Sequence, residues 1–390
     1  MTAPAINSGA QRAGRYVSAF ASSDEASPEI WGSVATACVA ALGDLPERAN
    51  LGFVYVTAAL ADDLGSIVTF LRERTGVADW TGTVGLGVMA SGREFYDRPA
   101  LSVLVAALPE DSYRPFAPVV SDLDDFSRDH DAWVAQHRPI LGVVHGDPRN
   151  PQIIEVIEAV SQATAAFLVG GLTASESPDF PQVCGTLTEG GLSGVLFSSE
   201  QLAVAGLSQG CTPIGAVHEV TAATGQGVVK TLDGRPALTV LREDVGELLS
   251  RDLSRIGGYI FAALPIAGSD TGDYTVRNLV GMDMEREWLQ VGAELAPGDR
   301  VGFCRRDHAS ARGDLKRMLE GLRERAGSAP RAGLYYSCVA RGRHLFGPHS
   351  EELQLIRETF GDIPLTGFFA NGEISNNRLY GYTGVLTLLL

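Results

Sequence analysis

Cysteine is scarce and badly placed for cross-linking. The five, Cys38, Cys184, Cys211, Cys304 and Cys338, are odd in number, far apart and never in a CxxC pair. That excludes a disulfide framework and a zinc knuckle, and a reducing cytoplasm is the expected setting. The seven histidines show no HxxxH spacing, so no metal is expected. There is no Walker motif and no dinucleotide fingerprint, so no cofactor is expected either. No apolar run approaches the roughly 18 residues that suggest a membrane helix. The opening residues lack the charged-then-apolar order of a signal peptide. Positive charge is short too: 31 Lys and Arg against 47 Asp and Glu leave a net charge of −16. That argues against bare nucleic acid and anionic membranes as partners, while leaving room for a local basic pocket.

What is present is an ordinary globular composition and a recurring unit. A chain of 390 residues with 45% hydrophobic and 20% charged residues is long enough for two or three domains. The pattern strand, helix, glycine-rich strand, strand recurs three times. In the first copy Leu51–Thr57 reads as a strand, 62–75 as a helix, Thr83–Met89 as the glycine-rich strand and Leu101–Leu108 as the returning strand. In the second, Ile140–Val144 leads into His145-Gly-Asp147-Pro-Arg149-Asn150. Asn150 and Pro151 start a helix over 151–165. Phe167–Gly171 follows, and Gly194–Ser198 with Leu202–Leu207 reads as a hairpin. The third copy ends the chain, with its helix over 350–360. Between the copies, Asp233-Gly234 predicts a tight hairpin turn joining Val228–Thr231 to Ala237–Leu241. A helix is expected from Asp244 to Ile256, then strands over Gly258–Leu264 and Tyr274–Gly281. The expected fold is α/β: repeated strand-helix-strand-strand units forming layered, twisted sheets with outer helices.

The last sixty residues carry the most chemistry. Gly333-Leu-Tyr-Tyr-Ser-Cys338 is an apolar strand ending in a thiol, with Arg341 and Arg343 just beyond. Pro364-Leu-Thr-Gly367-Phe368-Phe369-Ala-Asn371-Gly372-Glu373 is a second strand, ending in aromatics, an amide and a carboxylate. Two strands joined through a helix lie parallel, so their carboxyl ends open at one edge of the sheet. That places Cys338, Arg341, Arg343, Phe369, Asn371 and Glu373 near one crevice. Guanidinium groups there suit a ligand carboxylate, and Glu373 suits an ammonium. Glu373 equally suits a bracing pair with one of the arginines.

Gly210-Cys211-Thr-Pro213-Ile-Gly215, Tyr274-Thr-Val-Arg277-Asn278-Leu-Val-Gly281-Met-Asp283, Ser337-Cys338-Val-Ala-Arg341-Gly-Arg343, and Pro364 to Ile374 are four blocks. Together they resemble the FIST family, named for F-box and intracellular signal transduction proteins. The opening residues 1–26, rich in Ala, Ser and Gly, are expected to form a flexible segment with a first strand at Tyr16–Phe20, and the resemblance implies a FIST N-like domain over 27–245 and a FIST C-like domain over 246–390. It further implies an intracellular sensory module for a small ligand, such as an amino acid or related carboxylate, working with a signalling partner protein. Arg277 and Asn278 join the ligand set as a second tier. The chain departs from many members in showing no F-box, kinase or cyclase segment, so the output partner is not visible.

Two enzyme readings stand beside this one. Cys338 near two arginines is a candidate reactive thiol, against the plainer reading of a buried strand cysteine. Gly206-Leu-Ser208-Gln-Gly210 matches the G-x-S-x-G nucleophile elbow. That motif needs a helix directly after the serine, and Pro213 and Gly215 argue against one. A histidine at hydrogen-bond distance from either nucleophile would favour hydrolase or transferase chemistry. A protein-interaction scaffold is a third class, marked by a large exposed apolar patch.

Overall fold

The computed structural model describes residues 5–250, 256–266 and 274–390. The first repeat runs β1 (Ile6–Ala13), β2 (Tyr16–Ser23), α1 (Ile30–Leu42), β3 (Leu51–Thr57), α2 (Leu64–Thr75), β4 (Asp79–Gly85), the hairpin of β5 (Gly87–Ala90) and β6 (Arg93–Tyr96), and β7 (Ala100–Ala106). The second runs β8 (Tyr113–Val119), α3 (Asp124–His137), β9 (Leu141–Gly146), α4 (Ile153–Thr164), β10 (Phe167–Leu172), the hairpin of β11 (Gln182–Cys184) and β12 (Thr186–Thr188), and β13 (Leu192–Phe197). The third opens with β14 (Ala203–Ser208) and is then interrupted.

The interruption holds β15 (Thr212–Thr224), β16 (Val228–Leu232), β17 (Arg235–Pro236), α5 (Ala237–Ser250), β18 (Ile260–Pro265), β19 (Tyr274–Asp283), β20 (Trp288–Val291) and β21 (Arg300–Arg305). The third repeat resumes with α6 (His308–Ala326), β22 (Ala332–Cys338), α7 (Gly342–Leu345), α8 (Glu351–Phe360), β23 (Leu365–Ala370), the hairpin of β24 (Glu373–Ser375) and β25 (Arg378–Tyr380), and β26 (Gly384–Leu389). The chain accordingly divides into two compact units, Met1–Ser208 with Lys316–Leu390, and Gln209–Leu315.

The first unit is three versions of one sheet. Each is built on a parallel pair, β3–β4, β9–β10 or β22–β23. An antiparallel neighbour, β7, β13 or β26, flanks each pair. The hairpin that follows each glycine-rich strand leaves its own sheet. β5 pairs with β23, β11 with β4, and β24 with β10. The repeats thus exchange hairpins. Apolar side chains of all three sheets meet in one core that includes Phe53, Tyr55, Val143, Val169, Tyr336 and Phe368. The first sheet buries its other face under α1 and α2 through Val34, Cys38, Ile67 and Leu71. The second does so under α4 through Val156, Ile157 and Val160. In α8, Leu353, Leu355 and Ile356 are buried.

Local chemistry accounts for the element ends. The Asn150 side chain accepts the Gln152 amide at 2.8 Å, with Pro151 between them, and α4 starts at Ile153. α2 stops at Gly76, whose left-handed φ of 72° lets its amide return to the Arg72 carbonyl. Residues 6–23 lie in the stretch expected to be flexible. They pair as the hairpin β1–β2, because Tyr16, Val17 and Phe20 are buried. The expected hairpin over 194–207 does not form: β13 pairs with β8 and β9, and β14 with β26.

One glycine recurs at the same register in each parallel pair. Gly82, Gly170 and Gly367 lie opposite Val54, Val144 and Tyr335. A Cβ on any of them would stand 1.7 or 1.8 Å from the facing carbonyl oxygen. The next residue on each first strand points into the shared core. Those residues are Tyr55, His145 and Tyr336, and they bond to one another: Tyr55 OH to Tyr336 OH at 3.0 Å and to His145 Nε2 at 3.1 Å. Burial drives the His145 pKa down to about 3, so the ring is neutral.

The second unit is a closed ring of strands. β15 pairs with both β21 and β16, and the circuit continues through β18, β19 and β20. Its apolar core takes Leu238, Val240 and Leu241 from α5. The Asp233-Gly234 turn forms, with φ of 50° and 74°. The expected second strand does not extend beyond Arg235–Pro236: Ala237–Leu241 opens α5, since Leu238 and Leu241 fall on one helical face and are buried. Part of the helix expected up to Ile256 lies outside the described residues.

Gly82→Ala, Gly170→Ala and Gly367→Ala are each expected to lower unfolding free energy by about 3 kcal/mol or more, since the added methyl meets backbone with no room to yield. Gly321→Ala, in α6 with nothing within 4 Å of its Cβ position, is expected to be neutral or stabilising by up to about 1 kcal/mol. Urea denaturation of the four variants checks this.

Candidate functional site

β22 and β23 run parallel with Cys338 opposite Ala370, so their carboxyl ends do open at one edge. The residues expected there divide into an inner and an outer group. Arg341 is fully buried, with Nε and Nη2 each 2.8 Å from Oε1 of Glu352, itself fully buried. The same oxygen accepts from the Tyr335 hydroxyl at 2.6 Å, and Oε2 accepts the Gly342 amide at 2.8 Å. Arg341 also reaches the carbonyl and Oγ of Ser208, both at 3.3 Å, and its guanidinium lies over Phe346. Its bracing carboxylate is thus Glu352, on the first turn of α8, and not Glu373.

Glu373 is buried beside this pair. Its Oε2 accepts from the Thr383 amide at 3.0 Å and hydroxyl at 2.7 Å, while Oε1 has no hydrogen-bond partner among the described residues. Burial pushes its pKa up to about 8, against the pull of the Thr383 bonds, the Arg341 charge and a hydrogen bond with the Cys338 thiol. Cys338 is 8% exposed. Ser208 ends β14, and strand β15 follows it instead of the helix that a nucleophile elbow requires. His145 faces Tyr55 in the core, and Asp147 instead binds Arg149 and the Gly190 amide.

The outer group faces an open cavity of about 300 Å³. It is lined by Arg93, Glu94, Phe95, Tyr96, Arg98, Arg343, Pro348 and Ser350. Arg343 lies over the Tyr96 ring and pairs with Asp97 at 2.6 Å. Phe369 is buried behind the wall, 4.6 Å from Tyr96 between ring centres. Arg93 stacks on Phe20, and Arg98 pairs with Asp24. Asp24 and Asp97 are 79% and 65% exposed. Such exposed pairs hold weakly. Asn371 is exposed, with its amide on the Leu172 carbonyl. Arg277 and Asn278 lie on β19 of the second unit. Arg277 is half-buried, bonds the Val276 carbonyl, and has its pKa lowered by burial.

Sequence reasoning missed Arg93, Glu94, Tyr96, Arg98 and Glu352. Arg93, Glu94 and Tyr96 arrive on the exchanged hairpin β5–β6, far away in the chain, and Arg98 follows it directly. Arg93-Glu94-Phe95-Tyr96, two charged residues followed by two aromatics, carries no period that marks the strand or its destination. Glu352 had a signal in its place two residues after Ser350, at the start of an amphipathic helix.

Two outcomes follow. Arg341→Met leaves the buried Glu352 charge without its partner, and is expected to cost about 3–5 kcal/mol in urea unfolding. Adding Glu352→Gln is expected to recover part of the loss. Glu373 has a folded pKa above its ordinary 4.5. Its contribution is therefore fully present below that value and is lost as pH rises through about 8. Glu373→Gln is expected to gain on the wild type by on the order of 1 kcal/mol per pH unit across that window. A stability difference that stays constant with pH contradicts the assignment.

Comparison with known proteins bears out the family resemblance of the sequence. The model of the FIST N domain matches residues 50–235, and that of the FIST C domain matches 237–376. An uncharacterized protein of Mycobacterium tuberculosis (strain H37Rv) is 37% identical over 195 residues, 47% of this chain and 50% of that protein. An uncharacterized protein of Mycobacterium bovis is 35% identical over 193 residues, again 47% and 50%. The chain thus spans about half the length of the curated relatives it matches. With both domain models together covering most of its residues, the chain belongs to the FIST family, whose domains are sensory domains of signal transduction.

Proposed function

We propose that this protein is a cytoplasmic sensory module that binds a small carboxylate or zwitterionic metabolite, with an amino acid the leading candidate, and reports its presence to a signalling partner protein. One observation carries the reading. Three guanidinium groups, from Arg93, Arg98 and Arg343, stand around an open cavity of about 300 Å³ with a single carboxyl group, Glu94, in its wall. Guanidinium groups match carboxylates in geometry and charge. The volume suits a small molecule. The buried Arg341–Glu352 pair fixes the loop that carries Arg343, and Cys338 and Glu373 support that loop from inside. Five free cysteines fit a reducing compartment.

A thermal-shift screen of amino acids and short carboxylates tests the proposal. A ligand at about 100 times its Kd stabilises the folded state by about 2.7 kcal/mol. The hit is expected to shift the wild type and to lose its effect in Arg343→Ala and Arg93→Ala. A shift undiminished in both variants rejects the cavity. Turnover of the hit that Cys338→Ser abolishes contradicts the non-enzymatic reading.

A further inference from the structure

Glu94 is the one acidic residue among the described residues that line the cavity. Its Oε2 accepts the Tyr96 hydroxyl at 3.2 Å, and its backbone amide donates to the Ser350 hydroxyl at 3.0 Å. Oε1 is buried and has no hydrogen-bond partner among the described residues. A buried carboxylate oxygen left in that state is costly unless a proton or a cation sits on it.

Among the described residues the surroundings supply no spare cation. From α8, Glu351 and Glu352 add negative charge near Glu94. Arg341, behind Glu352, is bound to that carboxylate. Arg343 of α7 is paired with Asp97, and Arg98 with Asp24. Arg93 lies over Phe20. His344 meets Tyr96 edge-on, with ring centres 6.5 Å apart. Burial and then the Glu352 charge push the Glu94 pKa up to about 8, against the Tyr96 hydrogen bond. Glu351 adds to the rise, and the Leu353 amide opposes it. At neutral pH the carboxyl group holds its proton.

We propose that Glu94 reads a positive charge on the ligand: an ammonium group seated at its unpartnered oxygen replaces the proton, while the rim arginines hold the ligand's carboxylate. This rests on the reading of the cavity as the ligand site. In the exchange the Glu94 O–H bond breaks, the proton leaves to solvent, and the new carboxylate pairs with the ammonium. A ligand carrying only a carboxylate leaves the proton in place. The cavity therefore separates a zwitterion from its deaminated counterpart, and does so more sharply as pH rises towards 8.

Isothermal titration of the full chain with the twenty protein amino acids and their deaminated carboxylic acids tests this. It is run at pH 6 and pH 8, in phosphate and in Tris, so that buffer ionisation heat counts released protons. The expected result is an amino acid that releases about one proton on binding at pH 6 and tightens by up to about tenfold per pH unit up to pH 8. Its deaminated partner is expected to show neither effect. Glu94→Gln, which keeps the acceptor for Tyr96, is expected to fold with a wild-type melting midpoint at pH 6, to bind the amino acid more weakly and to release no proton. Binding of carboxylic acids that Arg343→Ala abolishes but Glu94→Gln leaves unchanged keeps the ligand site and overturns the role of Glu94. Proton release that persists in Glu94→Gln overturns it as well. Failure of every compound to bind overturns the ligand site and this inference together.

Discussion

Arg341 and Glu352 are both withdrawn from water, and their ion pair determines where the chain can go after the last parallel strand pair opens. Glu352 gathers Arg341, Tyr335, Ser337 and the Gly342 amide onto one carboxylate. Arg341 in turn reaches the end of β14 at Ser208 and the carbonyl of Tyr382. A buried pair of this kind gives little net stability, but removing either half is severe. Its value here is positional. It ties the strand end to the first turn of α8, and so sets Arg343, Pro348 and Ser350 along one side of the cavity.

The other side comes from a different repeat. Because each repeat lends its hairpin to a neighbour, β5–β6 from the first lies against β23 of the third. Arg93 to Tyr96 thereby face a loop some 250 residues away in the chain. The strand end of the second repeat is closed by its own ion pairs, in which Asp147 holds Arg149 and Arg149 reaches Glu189. One architecture thus supplies strand ends of different character: one filled by its own charges, and one left with guanidinium groups around open space.

The threefold pattern was legible in the sequence because it rests on local signals. Apolar runs, helix starts such as Asn150-Pro151 and glycine-rich strands mark each copy, although the first of these, read as Thr83–Met89, is divided between the end of β4 and the start of β5. The parallel pairing of β22 with β23 followed from the helix between them. Partners chosen in three dimensions were not legible. No local rule tells β5 to leave its sheet, or Glu352 rather than Glu373 to meet Arg341. Ala237–Leu241 read as a strand because apolar runs this short do not distinguish the two periods; burial of Leu238 and Leu241 on one face decided for helix. Around the cavity, strand-end logic had named Arg343 and the Phe369 behind its wall, while Arg93, Glu94, Tyr96 and Arg98 required the hairpin exchange.

If ligand charge is met at the cavity beneath Arg343, crystals grown with a stabilising metabolite will show difference density between the β5–β6 hairpin and the start of α8, with a carboxylate within hydrogen-bond distance of at least one of Arg93, Arg98 and Arg343. An empty cavity, with the metabolite bound elsewhere on the chain, for example at Arg277 in the second unit, would contradict this placement.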